Sequence, residues 1–182
     1  MLADHLKEIP ETEKVFRLTH AIGESCDRIA NIIKGLQDFS RTSTNDVAKS
    51  ISILEVVRTI IPVCEHRFRK SGIKFVHHKI SPLLKLNCNP VQLSQVILNL
   101  LNNAFDAVQH QAEKRVEVCA EEVDGQIRVR VSDSGPEISP EVQSKMFKPF
   151  YTTKEIGCGT GLGLGICRTI VEKHGGTINV VS

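Results

Sequence analysis

The sequence predicts an α+β domain led by a long bundle-type helix, and three observations carry that prediction. Over residues 11–41, Val15, Thr19, Ile22, Cys26, Ile29, Ile33 and Leu36 recur at alternating steps of four and three, the seam of a coiled coil. From Ser52 onward, helical and strand-like stretches interleave. Near the end, glycine occupies every second position from Gly157 to Gly165 and opens a helical pattern that runs to His174.

Each element has a local cause. In the first helix Phe16, Ile32 and Phe39 widen the apolar stripe beyond a two-strand seam, so a bundle is expected. Residues 40–46 are polar and aperiodic, which predicts a linker. Ser52 followed by Glu55 reads as a capping box for a helix to about Lys70, disturbed at Pro62, with Gly72 past its end. Residues 73–80 and 83–87 are strand candidates. Asn89-Pro90 supplies a cap and a first-turn proline for a helix to about His110. Residues 116–123 and 126–131 flank Asp124-Gly125, a hairpin signal. Ser139-Pro140 opens a short helix to Met146, residues 147–159 read as loop, a helix follows over 160–174, and Thr177 to Val181 reads as a last strand.

Composition narrows the function classes. Across 182 residues the net charge is only +2, with one Tyr and no Trp, so no basic, aromatic-studded nucleic-acid surface is expected. Six cysteines (26, 64, 88, 119, 158 and 167) are scattered without a CxxC pair, which reads as reduced cytosolic thiols rather than a disulfide framework. His77-His78, with Cys64, His66 and Cys88 near in sequence, lack the regular spacing of a zinc motif. No signal peptide or apolar run of spanning length is present, so the expected localisation is cytoplasmic. A membrane would be reached only through segments absent from this chain.

Chemistry concentrates in the second half. A glycine run has no side chains to bury, so its backbone N–H groups can approach a bound anion, and the helix behind it turns its positive end to the same place. Plain loops also contain such runs. On the helix 90–110, Gln95, Asn99, Asn103 and Asp106 share one stripe. A solvated face would normally carry Lys, Glu and Arg, whereas Asn is a poor helix former, so two asparagines there point to ligation of a hard cation such as Mg²⁺. Asp133 closes a strand and precedes Ser134-Gly135-Pro136. Its carboxylate suits an exocyclic amine such as that of adenine, although a simple turn also accounts for the segment. Thr153 and Lys154, behind Phe147 and Phe150, are candidates for phosphate oxygens.

In order, these segments are Gln95 to Ala107, Asp133-x-Gly135, Phe147-x-Pro149-Phe150-x-Thr152-Thr153-Lys154 and Gly159-Thr160-Gly161-Leu162-Gly163-Leu164-Gly165. Together they closely resemble the ATP-binding catalytic domain of bacterial sensor histidine kinases over residues 52–182, with motifs of the nitrogen-regulation type. The resemblance implies a two-layer α/β sandwich, with helices over a mixed sheet and ATP between them. It implies Asn103 as the Mg²⁺ ligand, Asp133 as the adenine-reading carboxylate, and Gly159, Gly161 and Gly163 around the triphosphate beneath a lid at 151–158. Asn99, Asp106, Gly135, Thr160 and Leu162 complete the nucleotide-binding set. Residues 11–41 resemble the second helix of the dimerisation and phosphoacceptor hairpin, which divides the chain into 1–45 and 46–182 and implies a homodimer with a response regulator as partner.

The same nucleotide fold serves chaperone, topoisomerase and mismatch-repair ATPases, which typically carry a glutamate four residues before the Mg²⁺ asparagine. Asn99 stands there, and an amide cannot act as base for water, so kinase is favoured over hydrolase. Three departures from the family pattern stand out. No acid follows His5 or His20, and His20 falls on the second-hairpin-helix candidate, where an ordinary surface histidine is favoured over a phosphoacceptor; the acceptor is therefore expected outside this chain, with His20 as the alternative, and the chain is expected not to autophosphorylate. Glu137 replaces the second glycine of the Asp-x-Gly-x-Gly turn, which leaves open a degenerate, non-catalytic module that dimerises or docks a regulator. The chain stops at Ser182, where family members continue with a glycine turn and a closing strand, so a fragment of a longer kinase is expected.

Overall fold

The computed structural model describes residues 13–20, 22–23, 48–154 and 159–182. In chain order the elements are β1 (Lys49–Ser52), α1 (Ile53–Lys70), β2 (Lys74–His77), β3 (Lys85–Cys88), α2 (Pro90–Val108), β4 (Arg115–Val123), β5 (Gln126–Asp133), α3 (Pro140–Lys145) and α4 (Gly163–Lys173).

The helix starts are set by side-chain caps. Ser52 is extended and its hydroxyl accepts from the Leu54 N–H, while Asn89 Oδ1 accepts from Val91 and Gln92 N–H at 2.9 and 3.3 Å. Ser139 caps α3 in the same way. α1 runs unbroken through Pro62, contrary to the expected disturbance. Pro62 is exposed, so water can take the carbonyl bond that its missing N–H forgoes.

β4 is the centre of a mixed three-stranded sheet, parallel to β2 and antiparallel to β5. The β4–β5 turn is Asp124-Gly125, with φ of 53° and 73°, the left-handed pair that matches the twist of a two-residue hairpin. β1 and β3 form a separate antiparallel pair, Lys49 opposite Cys88 and Ser52 opposite Lys85. The sequence pattern missed β1, because only Ile51 in it is strongly apolar.

Alternation along the strands separates the faces. Val116, Val118 and Ala120 of β4 are buried, and opposite them stand Asp133, Val131 and Val129 of β5. Against this face pack the stripes of α1 (Ile53, Val56, Val57, Ile60, Cys64, Phe68) and α2 (Ile97, Leu101, Ala104, Phe105, Val108). Each fully buried aliphatic side chain contributes roughly 1.5–3 kcal/mol. A second cluster joins α2 to α4 through Val96, Leu162, Ile166, Cys167 and Ile170.

Two expectations are corrected here. Thr177 to Val181 is not a strand: among the described residues no neighbouring strand offers it a ladder, and Ile178 packs on the α2–α4 cluster instead. The final helix begins at Gly163 rather than 160, because Gly161 has φ +65° and cannot extend it backwards. Of the long N-terminal helix, residues 13–20 and 22–23 are helical, with Val15, Phe16, Leu18 and Ile22 exposed, and His20 lies there with its ring 6.5 Å from Phe16. The remainder of 11–41, the linker at 40–46 and residues 155–158 of the lid lie outside the described residues. Among the described residues no helix is long and apolar enough to cross a membrane.

Candidate functional site

Three pieces of chain meet beside α2. The first is α2 itself, whose apolar face is held in the core and whose Asn99, Asn103 and Asp106 are half-buried at its border. Asn99 Nδ2 donates to the Gly163 carbonyl at 3.4 Å, so the asparagine ties α2 to the first residue of α4. Among the described residues, no hydrogen bond engages the Asn103 carboxamide. Asp106 pairs through Oδ2 with Lys154 Nζ, while its Oδ1 lies 3.8 Å from Arg67 Nη2.

The second piece is the end of β5. Asp133 stands opposite Val116, in the row of Ile127, Val129 and Val131, so strand alternation turns it to the helical side of the sheet. Its Oδ1 accepts the Gly135 N–H at 2.8 Å, and its second oxygen remains for another donor. Gly135 is needed for close approach: a Cβ there would stand 2.6 Å from Asp133 Oδ1 and 2.9 Å from Ala107 Cβ on α2. Ser134 locks the turn to the sheet, its hydroxyl accepting from Arg115 N–H and donating to the Glu113 carbonyl, both at 2.9 Å. Glu137 is exposed.

The third piece is the segment from Phe147 to α4. Thr153 is exposed, and the Lys154 N–H donates to Thr152 Oγ1 at 3.2 Å. The glycines divide by role. A Cβ on Gly159 would meet Thr152 Oγ1 at 2.8 Å, and one on Gly161 would meet the Phe150 carbonyl carbon at 2.4 Å, so packing of the chain on itself explains both. Gly163 differs: its Cβ would meet only Asn99, at 3.8 Å, leaving the start of α4 open. No side chain caps that helix. Leu162 at the cap position is buried and Thr160 Oγ1 accepts the Leu162 N–H, so among the described residues the first-turn N–H groups have no side-chain acceptor.

Behind the site, α4 is pinned near its middle and at its C-terminal end. Cys167 Sγ lies 3.8 Å from the Val96 carbonyl, and burial pushes its thiol up to about 11 against the opposing pull of a hydrogen bond with Asn99. At the C-terminus the Asn89 N–H donates to His174 Nε2 at 3.0 Å, and His174 Nδ1 faces the Ile170 carbonyl at 2.8 Å. Those partners select the neutral tautomer with its proton on Nδ1.

Chemically, the site combines a helix start without a side-chain cap among the described residues, a carboxamide beside it, a carboxylate–lysine pair further along α2 and a second carboxylate at a strand end. Such a set suits a ligand with an anionic end and a hydrogen-bonding polar end. The sequence singled out Asn99, Asn103, Asp106, Asp133, Gly135, Thr153, Lys154 and the stretch Gly159 to Gly163, and the three pieces carry all of them. It did not single out Arg67, whose side chain reaches Asn102, Phe105 and Asp106 on a different helix.

Comparison with known proteins bears on the family and the fold. Residues 88–182, just over half of the chain, match the family described as histidine kinase-, DNA gyrase B-, and HSP90-like ATPase. The C4-dicarboxylate transport sensor protein DctB of Rhizobium meliloti (strain 1021) is 35% identical over 165 residues, which is 89% of this chain and 26% of that protein. Sensor histidine kinase ZraS of Escherichia coli (strain K12) is 28% identical over 174 residues, 95% of this chain and 36% of that protein. This chain therefore spans only about a quarter to a third of the length of these relatives. Among solved structures, the nucleotide-free catalytic domain of histidine kinase ThkA superposes with a TM-score of 0.62 at 34% identity, covering 70% of this chain and 81% of that one. ThkA in complex with the response regulator protein TrrA gives 0.69 at 28% identity, covering 93% of this chain and 48% of that one. The chain belongs to the histidine kinase-, DNA gyrase B- and HSP90-like ATPases, and what it carries is the ATPase-type catalytic domain of a two-component sensor histidine kinase.

Proposed function

We propose that residues 46–182 bind Mg·ATP and present its γ-phosphoryl group to a histidine outside this chain, for relay to a response regulator. Residues 1–45 would contribute one helix of the dimerisation hairpin. The observation that carries this reading is the open, uncapped start of α4 at Gly163, set across from Asn99 on the same stripe as Asn103. A triphosphate is the anion such a helix start would take.

The residues fit the nucleotide and its ion. Asn103 has a half-buried carboxamide with no partner among the described residues, and a carboxamide oxygen is a ligand that Mg²⁺ accepts. When bound, Mg²⁺ supplies neutralisation of phosphate charge. Asp133, turned to the helical side with one oxygen uncommitted, would read the adenine amine, and Gly135 lets the turn close against Ala107. Lys154 and Thr153 would meet phosphate oxygens.

Transfer is favoured over hydrolysis by Asn99. Its amide has no basicity to activate water, and it is engaged with the Gly163 carbonyl. Phosphoryl transfer needs alignment and charge neutralisation, which these residues offer. The likeness to the ThkA–TrrA complex supports a receiver partner, and the exposed Val15, Phe16, Leu18 and Ile22 support a helical dimer. With no acceptor segment in the chain, it should not label itself.

The test is calorimetric titration with ADP, with and without Mg²⁺, beside Asn103→Ala. Micromolar binding that depends on both Mg²⁺ and Asn103 is expected. Absence of binding in the folded chain refutes the nucleotide reading, and retention of γ-phosphate label on the purified chain refutes the external acceptor.

A further inference from the structure

We propose that Arg67 is a positioning residue of this site, holding the Asp106 carboxylate in the orientation that presents Lys154. The inference rests on the nucleotide-binding reading above and adds to it a residue from a different element. Arg67 lies on α1, and its guanidinium makes three contacts at once. Nη1 donates to Asn102 Oδ1 at 2.7 Å, Nη2 lies 3.8 Å from Asp106 Oδ1, and the group sits 3.8 Å from the centroid of the Phe105 ring.

The Phe105 ring is a fixed platform. It is buried, and it packs on Phe68 of α1 with ring centroids 5.5 Å apart, while Phe68 in turn meets Phe75 of β2 at 4.8 Å. The guanidinium is therefore registered against the core although its edge is in solvent. An ordinary surface pair of two flexible chains contributes little. This one differs because a planar, five-donor group is stacked on one face and bonded at its edge, so little further ordering is required to engage the carboxylate.

The consequence falls on Asp106, whose two oxygens are divided. Oδ1 faces Arg67 and Oδ2 holds Lys154 Nζ. Without Arg67, no other described cation faces Oδ1. The carboxylate is then free to turn, and Lys154 loses a partner of fixed direction. Lys154 lies close to Gly159, whose added Cβ would meet Lys154 Cδ at 3.1 Å. The relay thus runs from α1 to the lysine that precedes the glycine run. Lysine in place of Arg67 would keep the charge but lose both the stack and the fork.

The test compares ADP affinity, in the presence of Mg²⁺, for the unmodified chain, Arg67→Lys, Arg67→Met, Asp106→Asn and the double variant Arg67→Met/Asp106→Asn, each with its thermal midpoint. Arg67→Met should raise Kd about tenfold, a coupling of the size seen between residues of one network. Arg67→Lys should not restore affinity, and in the double variant Arg67→Met should add no loss beyond that of Asp106→Asn. Should Arg67→Met not fold, Arg67→Gln takes its place in the same comparison. Recovery by Arg67→Lys, full additivity in the double variant, or a lowered midpoint with Kd unchanged would each overturn the proposal. An unmodified chain that does not bind ADP refutes the nucleotide reading before any variant is compared, so the two failures are distinct.

Discussion

Gly161 and Phe150 meet backbone to backbone, both in the left-handed region, with φ of 65° at each. Phe150 is a bulky residue in a conformation that side chains rarely adopt, and the residue is 66% exposed, so the local backbone path rather than burial of the ring holds it there. The glycine is what lets the two strands of loop close. Gly161→Ala would force a Cβ to within 2.4 Å of the Phe150 carbonyl carbon and add left-handed strain of about 1–3 kcal/mol. Gly175→Ala makes the control, because its φ is 73° but nothing lies within 4 Å of the added methyl. Denaturant titration should show Gly175→Ala losing only the conformational part. Gly161→Ala should lose more, and its ADP binding should fail as well.

The His174 pin gives a second prediction. Its imidazole accepts the Asn89 N–H and faces the Ile170 carbonyl, so one ring joins the start of α2 to the end of α4. His174→Leu leaves the Asn89 N–H at a buried cap without an acceptor, beside an Asn89 Nδ2 that already lacks one. An orphaned donor costs about 1–3 kcal/mol. Urea unfolding should show that loss, and a variant as stable as the unmodified chain would deny the pin any role.

Cys167 predicts an alkaline limit. Its thiol ionises at about 11 in the folded chain, against 9.0 ordinarily, because burial disfavours the thiolate. The folded value is the raised one, so its stability contribution is fully present below about pH 9 and is lost as pH rises through 11. The full loss is on the order of 2 kcal/mol. Thermal melts at pH 8, 9.5 and 11 should fall across that window, and less steeply in Cys167→Ala. At pH 8 iodoacetamide should label Cys167 only on unfolding, and rapid labelling of the native chain would contradict its burial.

Local chemistry was legible in the sequence, and long-range chemistry was not. Ser52, Asn89 and Ser139 announce their helices because a cap acts within three residues. Asp124-Gly125 announces its hairpin for the same reason. Strand membership is different, because it needs a partner. Thr177 to Val181 has strand-forming residues and no ladder, whereas the polar β1 becomes a strand because β3 offers it one. In the site, the stripe Asn99–Asn103–Asp106 follows from helical period alone. Arg67 could not be read, since its partners Asn102, Phe105 and Asp106 reach it only through the packing of α1 on α2. The glycine run was legible as a backbone device, but its division was not: Gly159 and Gly161 serve the chain's own packing, and Gly163 leaves the open face.

Glu137 and Gly135 provide the last prediction, and it separates a kinase domain from a degenerate one. The turn after Asp133 carries Glu137 where a second glycine is expected from the family resemblance. A charge there would oppose phosphate if it pointed inward. The side chain is exposed, whereas Gly135 is wedged between Asp133 Oδ1 and Ala107 Cβ. The tight position of this turn is therefore Gly135. Gly135→Ala must displace either the Asp133 carboxylate or the end of α2, and ADP affinity should fall at least about tenfold, the scale of losing a hydrogen bond to a charged group. Glu137→Gly should leave affinity within about twofold, since an exposed charge is screened by solvent. A large gain in affinity for Glu137→Gly would reverse this assignment, because it would mean that the glutamate faces the nucleotide and holds the domain in a weakened state.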